Sequence, residues 1–178
     1  MVTTGFEPAP PVLPDVLEPG LRVVFCGTQA GAASAARGAY YAGPGNKFWK
    51  TIHAIGLVPD LFAPERFREL PRHGIGLTDV AKLSSGPDSA LRGSHFDVEG
   101  LLARLSACRP RWLAFNGKRA AQAALGVSAG SLAYGLQPGS FAGAGLFVLP
   151  STSGAAAGFW SIEPWKDLAR IMTGPETP

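Results

Sequence analysis

Four short apolar runs are spaced along the chain, and within each run the apolar residues follow one another directly rather than alternating with polar ones. They cover residues 21–26, 74–80, 111–115 and 145–149. Continuous runs of this length are typical of strands that are buried on both faces, as in a parallel sheet. We therefore predict a strand at each of these positions.

Between these runs, apolar residues recur at helical spacing. Within residues 97–107, Val98, Leu101, Leu102 and Leu105 lie on one face, which is the apolar stripe of an amphipathic helix. Comparable patterns predict helices over 47–55, 118–125 and 163–172, and a surface helical segment over 57–74.

The order of these elements predicts the fold class. Strands that alternate with helices favour a three-layer α/β/α sandwich around a central, mainly parallel sheet of four to five strands. Two stretches rich in Gly, Ala and Ser, 27–45 and 151–158, are predicted as loops that follow strands. In such folds ligands bind beyond the carboxyl ends of the strands, so we expect the site there.

Length and composition set the organisation around this core. A chain of 178 residues favours one domain, and 46% hydrophobic against 16% charged residues supports a packed interior. The first 20 residues hold five prolines. We predict a Pro-rich arm over 1–20, with 13–17 docking on the body, a single domain over 21–173, and a polar tail over 174–178.

Several classes of function are disfavoured by the sequence. Two cysteines and three scattered histidines do not form metal-ligand spacings, so no metal or cofactor is expected. The chain has no phosphate-binding glycine motif of the common nucleotide-binding types and no nucleophile elbow. Neither a membrane-spanning apolar run nor a signal peptide is found, so a cytoplasmic protein is expected. The net charge of +3 leans mildly toward an anionic partner.

Five stretches together resemble the motifs of the uracil-DNA glycosylase superfamily, closest to its mismatch-specific uracil-DNA and thymine-DNA glycosylase branch. They are GTQAGAASAARGAYYAGPGNKFW (27–49), GIGLTDV (74–80), FNGK (115–118), YGLQP (134–138) and LPSTSGA (149–155). The resemblance spans about residues 13–160. It implies a monomeric enzyme that flips a nucleotide out of DNA and hydrolyses its glycosidic bond, through a transition state that resembles an oxocarbenium ion.

The resemblance also implies which residues hold the base. Tyr41 takes the position of the aromatic side chain on which the flipped base stacks, a contact worth about 1–3 kcal/mol. The backbone N–H groups of Thr28 and Tyr41 would meet the base carbonyls. Asn46 would cap the following helix and fix the loop that carries Tyr41. Tyr40 is expected to lie in the core.

Gln29 departs from the family pattern, which has an Asn that holds the attacking water. Its extra methylene would displace that water, and a misplacement near 1 Å can cost about a hundredfold in rate. Gln29 either holds water in a changed pocket or binds the base while Asp79, at the end of the second strand, activates water. Gln29 as a plain loop residue and Asp79 as a turn residue remain the structural alternatives.

The last motif would contact the DNA strand. The hydroxyls and backbone N–H groups of Ser151, Thr152, Ser153 and Gly154 suit phosphate oxygens, and Lys118 at a helix start could meet another phosphate. Ala155 stands where relatives insert a Leu or Arg wedge into the base stack. A methyl group is too small for that role, which leaves Phe159 or Trp160 as a replacement.

These observations predict a monofunctional uracil-DNA glycosylase that removes uracil, and other damaged bases as a further possibility, to start base excision repair. The alternative is a noncatalytic binder of damaged or single-stranded DNA on the same fold. Asp79 discriminates between them, because a binder has no need of a carboxylate near phosphates.

Overall fold

A five-stranded sheet lies at the centre of the computed structural model, which describes residues 9–174. Its strands are β1 (Val23–Gly27), β2 (Ile75–Asp79), β3 (Trp112–Asn116), β4 (Gly135–Phe141) and β5 (Ala144–Leu149). Their order across the sheet is β2-β1-β3-β5-β4, and every neighbouring pair is parallel except β4 with β5. The predicted mainly parallel sheet is confirmed.

Helices cover both faces of this sheet. They are α1 (Ala32–Arg37), α2 (Phe48–Ala54), α3 (Val98–Cys108), α4 (Lys118–Leu125) and α5 (Glu163–Thr173). Alternate residues of β1 point to opposite faces: Val23 and Phe25 join an apolar cluster with α2 and α5, whereas Val24 and Cys26 join one with α3 and α4. The predicted three-layer sandwich is therefore confirmed.

Three elements differ from the sequence-based expectation. Helix α1 lies inside the stretch predicted as a loop, between Gly31 and Gly38, whose left-handed φ of 63° ends the helix. The segment predicted as a surface helix is a 3-10 helix over Pro64–His73 with Pro71 inside it. The edge strand β4 has no counterpart among the predicted strands.

The part of the N-terminal arm that the structure describes lies on the sheet. Val16 pairs with Leu77 of β2, with the Val16 amide donating to the Leu77 carbonyl at 2.9 Å. Leu13 is buried in the cluster that also contains α2 and α5. The arm before residue 9 and the tail after residue 174 fall outside the described residues, and the predicted domain bounds stay a prediction. No helix within 9–174 is long and apolar enough to cross a membrane.

Candidate active site

The carboxyl ends of β1, β2, β3 and β5 open onto one cavity of about 560 Å³. Its size is in the range of pockets that enclose small organic ligands. Every residue predicted for the site lines this cavity: Asp79, Gln29, Thr28, Tyr41, Asn46, Lys118, Ser151, Thr152, Ser153, Gly154 and Ala155. The convergence expected from the strand ends is thus present.

Asp79 ends β2 and lies directly opposite Gly27 of β1. A Cβ atom at Gly27 would come within 2.5 Å of Asp79 Oδ1, so the carboxyl group fits only because position 27 has no side chain. Asp79 is 3% exposed, and no described residue donates a hydrogen bond to its carboxyl group. The main-chain oxygen of Asp79 accepts from Arg104 Nη2 at 3.1 Å.

This environment changes the proton affinity of Asp79. Burial raises the pKa of the carboxyl group to about 7; the charge of Lys82 opposes the rise, and the charges of Asp15 and Asp88 add to it. Asp79 therefore exchanges a proton near neutral pH. A carboxyl group with such a pKa in a cavity is a candidate for acid–base chemistry.

Tyr41 is held in a strained backbone conformation at the wall of the cavity. Its φ of 54° lies in the left-handed region that side chains other than glycine rarely adopt. Its ring stacks on Phe48 with centroids 4.1 Å apart. The Tyr41 hydroxyl is buried without a hydrogen-bond partner among the described residues, and burial together with the charge of Asp79 raises its pKa.

The chain on either side of Tyr41 is fixed by hydrogen bonds. Ser34 Oγ of α1 accepts from the Ala42 amide at 3.0 Å, and Arg37 Nη1 donates to the Ala42 carbonyl at 2.9 Å. Tyr40 is buried as predicted, 1% exposed, and its carbonyl accepts from Trp49 Nε1. These contacts support the strain at Tyr41.

Asn46 fastens the start of α2 and so the end of this loop. Its Oδ1 accepts from the Phe48 amide at 3.0 Å, but the helix begins one residue later than predicted, so the N-cap is Lys47 and Asn46 stands just before it. The Lys47 amide donates to the Thr152 carbonyl at 2.9 Å, which joins this loop to the loop after β5. The two loops that bear the site residues therefore form one wall.

Gln29 uses its amide nitrogen to hold a neighbouring segment. Nε2 donates to the carbonyls of Gly86 and Pro87, both at 3.0 Å, and Ala30 pairs with Ser85 beside it. Gln29 Oε1 is buried with no hydrogen-bond partner among the described residues. The amide nitrogen is therefore engaged, and the oxygen is the atom of the amide group that has no hydrogen-bond partner.

Thr152 differs from its neighbours in the loop after β5. It is 0% exposed: its Oγ1 accepts from Asn116 Nδ2 at 2.9 Å, and its amide donates to Asn116 Oδ1 at 3.0 Å. Both its hydroxyl and its amide are therefore bonded to Asn116 and join the loop to the end of β3, and phosphate binding by Thr152 stays a prediction. Ser153 is half-buried and Gly154 is exposed, and phosphate binding by these two residues stays a prediction.

The cavity also has lining residues that were not among the predicted site residues, and three of them are Asn116, Asp88 and Arg119. Asn116 ends β3 and makes the paired bonds to Thr152; its place in the FNGK motif at a strand end was the available signal. Asp88 and Arg119 also line the cavity. Burial raises the pKa of Asp88, while the Thr28 hydroxyl and the charge of Arg119 lower it. Asp88 lies in a loop without a motif, so the sequence offered no signal for it.

Exposed aromatic and basic side chains surround the mouth of the cavity. Lys118 Nζ lies 4.7 Å from the centre of the Tyr134 ring. Phe159 is 76% exposed and lines the mouth near Ala155. Trp160 is half-buried instead, packed 6.2 Å from the Trp165 ring. Of the two candidates for the wedge, Phe159 is the one free to enter DNA.

Comparison with known proteins agrees with this geometry. The family model described as the Uracil DNA glycosylase superfamily matches residues 14–169. A solution NMR structure of a candidate uracil DNA glycosylase from Methanosarcina acetivorans superposes with a TM-score of 0.63 at 26% sequence identity. That match covers 91% of this chain and 97% of the archaeal one.

Proposed function

The chain belongs to the uracil DNA glycosylase superfamily, and from this premise we propose that it is a monofunctional glycosylase that hydrolyses the N-glycosidic bond of uracil in DNA. Within the superfamily we place it with the mismatch-specific uracil-DNA and thymine-DNA glycosylases. The observation that carries the proposal is the buried Asp79 carboxyl group, which has no hydrogen-bond donor of its own and opens onto the cavity.

The proposed reaction begins with a flipped nucleotide whose base stacks on Tyr41, which Phe48 supports from behind. Water adds to C1′ while the C1′–N1 bond breaks, and the bonding electron pair leaves with uracil. The Asp79 carboxylate accepts the proton of that water and lies near the cationic sugar. A pKa of about 7 leaves enough carboxylate for this role at neutral pH.

Gln29 enters this scheme through its oxygen. Because its Nε2 is bound to two carbonyls, Oε1 is the atom that can orient the water. In this scheme the Asp79 carboxylate supplies the negative charge that activates the water, and Gln29 fixes the position of the water. The alternative, in which Gln29 Oε1 accepts from the base, assigns the whole activation of water to Asp79.

Two features support hydrolysis without strand cleavage. Among the described residues that line the cavity, the lysine is Lys118, and its ammonium lies over the Tyr134 ring. Lys82 lies beneath the site, with its ammonium bound to Tyr40 and paired with Asp15. We further propose that the protein acts on DNA as a monomer in the cytoplasm.

One observation favours the alternative, a protein that binds damaged or single-stranded DNA without removing a base. The Gln29 amide nitrogen is already bonded to two main-chain carbonyls. One experiment separates the two. Purified protein is incubated with uracil-containing oligonucleotides, single- and double-stranded, and with matched thymine-containing strands, followed by alkaline cleavage.

The proposal expects release of free uracil and strand breaks that appear only after alkali. The Asp79→Ala variant, purified in the same way, controls for contaminating enzyme. Retention of the uracil strand without any alkali-sensitive product would support the binder instead.

A further inference from the structure

A cluster of one buried and two partly buried charged side chains lies beneath the cavity, around a residue of the N-terminal arm. Asp15 Oδ1 accepts from Thr78 Oγ1 at 2.6 Å and is 2.9 Å from Lys82 Nζ. Asp15 Oδ2 is 3.2 Å from Nε of Arg104. Lys82 is 7% exposed, so this is a largely desolvated ion pair.

The cluster is joined to the site by two direct contacts. Arg104 donates to the main-chain oxygen of Asp79, next to Thr78 in β2. Lys82 Nζ donates to the Tyr40 hydroxyl at 2.9 Å, and Tyr40 precedes the strained Tyr41. The chain segment that carries Asp15 is itself paired to β2 through Val16.

We propose that Asp15 is a positioning residue of the active site: it holds Lys82 and Arg104 beneath Asp79, so that the charges of all three act on the Asp79 carboxyl group. The N-terminal arm then contributes a positioning residue to the active site, in addition to packing on the sheet. The proposal rests on the proposed function for its role in catalysis, but the charge coupling itself does not depend on uracil.

The direction of each contribution follows from charge. Lys82 and Arg104 favour the carboxylate of Asp79, whereas Asp15 and the rim residue Asp88 oppose it. Arg104 also pairs with Asp97, whose Oδ2 lies 3.5 Å from Nη1. Tyr40, Tyr41 and Cys26 are further titratable groups near Asp79, and burial raises the pKa of all three, which keeps them neutral at neutral pH. The cluster therefore supplies the charges that can be altered without touching the cavity.

The test uses substitutions with opposite expected signs. Asp15→Asn removes a negative charge and should move the acid limb of the pH–rate profile for uracil release toward lower pH by about one unit. Lys82→Gln removes a positive charge and should move the same limb toward higher pH. The double variant replaces the pair by neutral groups and should return the limb close to the wild-type position. Glu99→Gln, an exposed carboxylate on α3, is the matched control and should leave the limb unchanged.

Carbon-13 NMR titration of the aspartate carboxyl groups, with Asp79 assigned by its loss in Asp79→Asn, reads the same shifts without DNA. Opposite displacements in the two single variants would support the proposal, including in a protein that does not release uracil. Displacements in the same direction, or lower rates with an unmoved limb and unmoved Asp79 resonance, would overturn it. Absence of uracil release by the wild type would overturn the proposed function alone.

Discussion

At the scale of single residues, the site is built at the expense of stability. Asp79 is a buried carboxyl group to which no described residue donates a hydrogen bond, and Tyr41 combines a left-handed backbone with a hydroxyl that has no partner among the described residues. Each of these features is unfavourable for folding alone. Gly27 is needed beside Asp79, because any side chain there would occupy the space of the carboxyl group. Departures of this kind are common where a protein binds or reacts.

Asp79 should make the protein less stable as the pH rises. The folded state raises its pKa from 3.8 to about 7, so the native protein binds more protons than the unfolded chain between these values. The contribution of Asp79 to the free energy of unfolding is fully present below about pH 4 and is lost as the pH rises through this window. The gap between the two pKa values corresponds to about 4 kcal/mol at most.

Asp79→Asn should therefore unfold at a higher temperature than the wild type at pH 8 and at a similar temperature near pH 4. Thermal unfolding followed by circular dichroism at both pH values checks this. A variant that is less stable than the wild type at pH 8 would contradict the unpaired state of the carboxyl group.

Tyr41→Phe should retain most of the excision rate, because stacking needs the ring and the hydroxyl has no partner among the described residues. Tyr41→Ala should lose far more, since it removes a contact worth about 1–3 kcal/mol to the base. Single-turnover excision of uracil measures both. An equal loss in the two variants would point to the phenol group and against stacking.

At the scale of elements, two loops are joined into one wall of the cavity. The Lys47 amide binds the Thr152 carbonyl, and Gly154 lies against the main chain of Pro44 and Gly45. Asn116 fixes the second loop to the end of β3. The position of the segment that is predicted to bind phosphates therefore depends on buried hydrogen bonds at the carboxyl end of β3.

Thr152→Val should test this fastening. It removes the acceptor of Asn116 Nδ2 and leaves a buried amide N–H without a partner, which costs about 1–3 kcal/mol in unfolding free energy. Urea unfolding measures that loss, and single-turnover excision should fall with it. Ser128→Ala, an exposed hydroxyl outside the cavity, is the control and should change less. Wild-type stability and rate in Thr152→Val would argue against the fastening role.

Some of the strands could be predicted from the sequence, and one could not. The strands around Phe25, Leu77 and Phe147 could be predicted because both of their faces are buried, which leaves unbroken apolar runs. Strand β4 could not, because it is an edge strand with mostly exposed side chains, a proline and a bulge near Gln137. The role of Gln29 as a fastener of residues 86–87 depends on a distant loop that no local pattern indicates.

At the scale of the whole molecule, the mouth of the cavity is the surface that would meet DNA. Lys118 and Tyr134 lie on one side, and the loop with Ala155 and the exposed Phe159 completes the rim. Extruding a paired base costs a few kcal/mol, least when the base is mismatched or in a single strand. Ala155 has too little volume to fill the space that a flipped base leaves.

The protein should therefore excise uracil faster from single strands and G·U mismatches than from A·U pairs. Ala155→Arg should raise activity on duplexes and slow release of the abasic product, as measured by single-turnover and steady-state rates. Similar rates on all three substrates, unchanged in Ala155→Arg, would place the wedge elsewhere. Phe159→Ala, with Trp160→Ala as the half-buried comparison, would then locate it.

In the proposed reaction, the Asp79 carboxyl group carries the hydrolysis. The most direct measurement is single-turnover release of uracil from a single-stranded oligonucleotide by the wild type, Asp79→Ala and Gln29→Ala, with DNA binding measured in parallel. We predict release by the wild type, a larger loss of rate in Asp79→Ala than in Gln29→Ala, and similar DNA affinity in all three. Wild-type rates in Asp79→Ala would contradict the claim.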